Sequence, residues 1–106
     1  MTITTYNKLI RDKIPEIIEQ SGKKAVVEKL DDGRYLNMLN NKLSEELSEY
    51  LDGNNVEELA DLVEVIYAIL ELKGVPLVEF EKIRKEKVEA RGAFQKRLLL
   101  KEVIED

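Results

Sequence analysis

The chain has 106 residues, with 17 basic and 22 acidic side chains, a formal net charge of −5, and neither cysteine nor histidine. One domain of this length holds a modest core and gains from self-association, while the acidic balance argues against broad, nonspecific nucleic-acid binding. Without cysteine there are no disulfides or thiolate zinc sites, and without histidine any metal site must use oxygen donors, which favours Mg2+, Mn2+ or Ca2+.

The N-terminus Met1-Thr2-Ile3-Thr4-Thr5-Tyr6 lacks the apolar run of a signal peptide. No uncharged apolar stretch approaches the roughly 18 residues that a membrane span requires. The expectation is a cytoplasmic protein forming a single domain over residues 1–106. Tyr6 to Ile14 reads as irregular until a short helix begins near Pro15, because proline is tolerated in a first turn. That helix should stop around Ser21-Gly22. Ala25 to Leu30, with Val26-Val27, reads as a strand, and Asp31-Asp32-Gly33 as a turn.

A long helix is expected from about Arg34 to Leu51, with Leu36, Leu39, Leu43, Leu47 and Tyr50 on one stripe. Glu46 borders that stripe, Glu49 lies further round, and Glu45 is nearly opposite it. Glu46 should therefore point most inward, Glu49 next, and Glu45 should be the most solvated. The following helix, about Val56 to Lys73, is apolar around most of its circumference. Glu57, Glu64 and Glu71 recur every seven residues as its narrow solvent face. An all-round apolar helix is a buried one, and in a chain this small a second subunit is expected to cover it. Gly74-Val75-Pro76 breaks the chain before a last helix, about Leu77 to Ala90. The tail Gln95 to Val103, with Leu98-Leu99-Leu100, reads as a strand pairing with Ala25–Leu30.

The two central helices carry acids that mirror one another about the turn Gly53-Asn54. Glu49 and Glu58 are equally far from it, and so are Glu46 and Asp61. Folded back antiparallel, each helix would contribute one acid at each of two levels, about 4.5 Å apart at the helical rise. Carboxylates about 5 Å apart repel by about 3 kcal/mol per pair at an effective dielectric of 20. A divalent cation between them would relieve that repulsion. Charged faces of surface helices produce such spacings too, and Asn55-x-x-Glu58 is also a capping-box pattern. The mirror arrangement, and the position of Asp61 as the only acid on an apolar part of its helix face, favour the cation site, since burying such a group unpaired is costly.

Basic residues fall in two groups: Lys8, Arg11 and Lys13 before the first helix, and Lys87 and Arg91 on one face of the last. Cations beside a Mg2+ site can neutralise a phosphate chain that acids alone would repel. The chain has no glycine-rich phosphate loop and no Walker pattern, so a nucleotide would be held mainly through metal and basic side chains.

Glu45-Glu46-x-x-Glu49 followed by Glu58-x-x-Asp61 resembles the paired acidic motif of the MazG-like, all-α nucleoside triphosphate pyrophosphohydrolases. The flanks Asn7-Lys8-Leu9-Ile10-Arg11-Asp12-Lys13-Ile14-Pro15 and Lys87-x-x-x-Arg91-Gly92-x-Phe94 are similar to a house-cleaning branch near the phosphoribosyl-ATP pyrophosphohydrolases. The resemblance spans Tyr6 to about Leu100. It implies Mg2+, with Mn2+ as a substitute, held by Glu46, Glu49, Glu58 and Asp61. It also implies Glu45 and Glu46 as catalytic carboxylates, Glu45 from the outer shell or by orienting water, and Lys8, Arg11, Lys13, Lys87 and Arg91 as phosphate contacts. The implied reaction is attack of water on the α-phosphorus of a nucleoside triphosphate, releasing monophosphate and pyrophosphate. The eight residues between Glu49 and Glu58 are a short connection compared with many relatives and leave little room for a loop over a nucleobase.

The expected fold is mainly α: an antiparallel helix pair in a bundle completed by a homodimer or higher oligomer, with a small two-stranded β element. Two other activities fit the same residues. One is phosphoribosyl-ATP hydrolysis; the other is nucleotide binding without turnover by a scaffolding protein.

Overall fold

A computed structural model describes residues 1–105. Among them are four helices: α1 (Ile14–Gln20), α2 (Asp32–Gly53), α3 (Val56–Leu72) and α4 (Leu77–Arg91). The residues form two compact units, Met1–Gly74 and the segment from Val75 onward. No helix among the described residues is long and apolar enough to cross a membrane.

In the first unit, α1 is a short helix with Pro15 in its first turn, followed by Gly22 in the left-handed region at φ 85°. Helix α2 starts two residues before the expected Arg34. The Asp31 carboxylate accepts a hydrogen bond from the Arg34 backbone N–H at 2.9 Å, so the expected turn is an N-cap. At the other end Asn54 takes φ 54°, a conformation asparagine tolerates better than most residues. Its N–H donates to the Tyr50 carbonyl at 2.6 Å, and only Asn54 and Asn55 separate α2 from α3. So short a link folds the two helices back against each other, and their packing is the main tertiary contact of the unit.

Leu39 on the α2 stripe is 2% exposed and Val65 on α3 is 8% exposed. Burying a side chain of this kind contributes about 2 kcal/mol. Further toward the turn Leu47 of the stripe and Leu51 beside it are exposed, while Tyr50 is half-buried. Glu57, Glu64 and Glu71 are all exposed on α3, as expected. Val56, Leu59, Val63 and Tyr67 are exposed as well, so this chain by itself does not bury α3 all round.

The expected two-stranded element is absent: the described residues contain no strand. Val26 and Val27 are 90% and 60% exposed, and their segment is tied to α2 by a Glu28–Arg34 ion pair rather than by a ladder. Leu98, Leu99 and Leu100 are also exposed and without regular structure. β-propensity records how a residue packs against a pleated, half-buried surface, and neither segment has one. A lone two-stranded ribbon is at best marginal in water.

The second unit consists of α4 and the tail. Pro76 precedes α4 in an extended conformation, and Gly92 closes it at φ 83° with its N–H on the Val88 carbonyl. Arg84 reaches back one turn to chelate the Glu81 carboxylate.

Candidate metal centre

The α2–α3 hairpin brings Glu46, Glu58 and Asp61 together. Each offers a carboxylate oxygen, and the three oxygens lie within 4.8 Å of one another. Glu46 comes from α2 and borders the leucine stripe, so helix packing carries its side chain into the interface; it is 6% exposed. Glu58 and Asp61 sit one turn apart at the start of α3, both half-buried. The capping-box alternative for Glu58 is not realised, since the Asn55 side chain makes no cap hydrogen bond.

Glu46 is the strained member. Its Oε1 lies 3.4 Å from the Lys42 ammonium, one turn earlier on the same helix. Its Oε2 is buried with no hydrogen-bond partner. An ionised oxygen in that position has lost water and gained nothing in return, at a cost of about 1–3 kcal/mol or more. Burial, and after it the neighbouring Glu49 carboxylate, push the Glu46 carboxyl above the ordinary glutamate range, against the opposing pull of Lys42.

Glu45 and Glu49 exchange their expected ranks. The Glu45 side chain is only 30% exposed and accepts a hydrogen bond from Lys8 at 3.1 Å, with Lys42 at 3.7 Å. That bond from Lys8 holds its carboxyl below the usual range despite some burial, and the Lys42 charge adds to the effect. Glu49 is exposed and outside the three-carboxylate group, although close enough to Glu46 to repel it. The helical wheel ranked them by angle from the leucines, whereas the N-terminal arm and Lys42 lie over the Glu45 side.

Of the basic residues, Lys8 meets Glu45 on α2, and Arg11 donates to Asp61 Oδ1 on α3 at 2.6 Å. Lys13 is the N-cap position of α1, exposed and without an ion pair among the described residues. Lys87 and Arg91 lie on α4 in the other unit. Lys42 did not figure among the residues expected from sequence. Its signal was its place three and four residues before Glu45 and Glu46, the spacing at which helical side chains meet.

The donor set suits a hard divalent cation. All its atoms are carboxylate oxygens, the group carries more negative charge than its neighbours offset, and the Glu46 Oε2 has an unfilled bonding capacity. No protein-family model, curated protein or solved structure matches this chain.

Proposed function

We propose that Glu46, Glu58 and Asp61 hold Mg2+ and that the chain hydrolyses a nucleoside triphosphate to monophosphate and pyrophosphate. The observation that carries this reading is the unpartnered Oε2 of buried Glu46, a member of a three-carboxylate group flanked by Lys42 on Glu46 and Arg11 on Asp61. Glu49 adds negative charge at the exposed edge. When bound, Mg2+ supplies charge neutralisation for the phosphates and acidifies a coordinated water.

The chain's own residues divide the remaining work. Lys8 and Arg11 are long, exposed cations at the border of the acidic group and suit phosphate oxygens. With no histidine in the chain, the proton of the attacking water goes to a carboxylate. Glu45 suits that task, since the Lys8 hydrogen bond holds it ionised and it lies outside the metal group. A second copy of the chain would cover Leu47, Leu51, Val56, Leu59, Val63 and Tyr67, which a protomer leaves open.

Product analysis with a panel of standard and modified nucleoside triphosphates, with and without Mg2+, tests this reading. Monophosphate and pyrophosphate formed only with Mg2+ support it; diphosphate and inorganic phosphate would place cleavage at another bond. A protein that binds Mg2+ and nucleotide yet turns over no triphosphate would favour phosphoribosyl-ATP or a purely binding role.

A further inference from the structure

Residues 1–13 have no helix or strand, and Leu9 is their only residue that is not exposed. Lys8 and Arg11 flank it and point to different helices. Lys8 takes Glu45 on α2, and Arg11 takes Asp61 on α3. The segment therefore ties itself to both helices of the hairpin, with half-buried Leu9 between the two ion pairs. Asp61 is thereby committed twice, since one of its oxygens belongs to the three-carboxylate group and its Oδ1 accepts from Arg11.

We propose that this N-terminal arm is an internal counter-ion strap, with Arg11 on Asp61 competing with the divalent cation and released when it binds, while Lys8 stays on Glu45 outside the group. The inference rests on the reading of Glu46, Glu58 and Asp61 as a cation site. A dication drawing on Asp61 raises the local positive charge beside the guanidinium, so the Arg11 contact weakens as the cation enters. Leaving is easy for Arg11. Its side chain is 60% exposed, its backbone is irregular, and an exposed ion pair is a weak tether. The released guanidinium stays within reach of the site through the Lys8–Glu45 pair, where a phosphate chain would meet it. The arm thus keeps Asp61 partly neutralised before the cation arrives and frees the Arg11 guanidinium afterwards.

Mn2+ affinity of the full-length chain, read by electron paramagnetic resonance, tests the strap in wild type, Arg11→Gln and Lys13→Gln. The last removes the same charge from an exposed arm residue that has no ion pair among the described residues. Arg11→Gln is expected to bind Mn2+ about fivefold more tightly than wild type, the reach of one exposed ion pair, and Lys13→Gln within about twofold. Limited trypsin digestion of wild type should also cut faster after Arg11 once Mn2+ is added. Equal Mn2+ affinity for wild type and Arg11→Gln, or equal tightening by Lys13→Gln, overturns the strap while leaving the cation site standing. A tryptic rate that Mn2+ leaves unchanged or slows also overturns it. Failure of all three chains to bind Mn2+ overturns the cation site itself, and the strap with it.

Discussion

Replacing Glu46 with methionine should make the metal-free protein more stable while abolishing cation binding. Methionine keeps roughly the volume and shape of glutamate, so the leucine stripe around it need not collapse. Glu46 lies within 4.8 Å of both Glu58 and Asp61 through its nearest oxygens. At an effective dielectric of 20, each such contact costs at least about 3.5 kcal/mol while both groups are ionised. Lys42, at 3.4 Å, returns about 5 kcal/mol on the same scale. The unpartnered Oε2 adds a desolvation cost of about 1–3 kcal/mol. Half-exposed Asp61 and its Arg11 partner screen part of the repulsion and the neighbouring Glu49 carboxylate adds to it, which leaves a net gain of about 2 kcal/mol for the variant. For a domain of this size that corresponds to roughly 10 °C in melting temperature.

Thermal unfolding in EDTA and in excess Mg2+ reads both halves of this prediction. In EDTA Glu46→Met should melt higher than wild type. In Mg2+ at about 100 times the dissociation constant wild type should gain about 2.7 kcal/mol, and the variant nothing. A variant that melts below wild type in EDTA would mean that Glu46 is a satisfied structural residue and not a destabilising one.

The same carboxylate sets two pH dependences and one coupling. Because the Glu46 pKa is raised in the folded state, its contribution favours folding at low pH and is lost as pH rises through that raised value. The stability advantage of Glu46→Met in EDTA should therefore shrink as pH falls from 7 toward the ordinary glutamate range, which urea titrations at several pH values would show. Protons and cation compete for Glu46, so Mn2+ affinity should fall with decreasing pH at a midpoint above that of an ordinary glutamate. A midpoint at or below the ordinary value contradicts the burial of this group. Lys42→Met removes the cation beside Glu46 Oε1, and should cost about 1–2 kcal/mol in wild type but clearly less in Glu46→Met. A double-mutant cycle in EDTA with no coupling would show that Lys42 serves Glu45 alone.

Much of the hairpin was legible because its signals are local. The leucines from Leu36 to Leu47 repeat at the helical period, Gly53-Asn54-Asn55 is strong turn chemistry, and two helices with so short a link have one way to pack. The inward direction of Glu46 followed from its angle to that stripe. The ranking of Glu45 against Glu49 failed because a wheel knows one helix only. Lys8, far away in sequence, lies over Glu45 and not over Glu49. The arm itself has no periodicity, so its chemistry was readable but its contacts were not. Ala25–Leu30 misled for a different reason: β-branched residues mark a strand only where a partner edge exists, and Val26 and Val27 have none.

If Glu46, Glu58 and Asp61 hold a divalent cation, Mn2+ binding must distinguish wild type from Asp61→Asn. Asparagine keeps the size of Asp61 and a carbonyl oxygen but removes one negative charge from a set of three. One saturable Mn2+ per chain is expected in wild type, with an affinity at least about tenfold weaker in Asp61→Asn and both proteins equally helical. Equal binding by the two chains, or no saturable binding in wild type, would contradict the cation site.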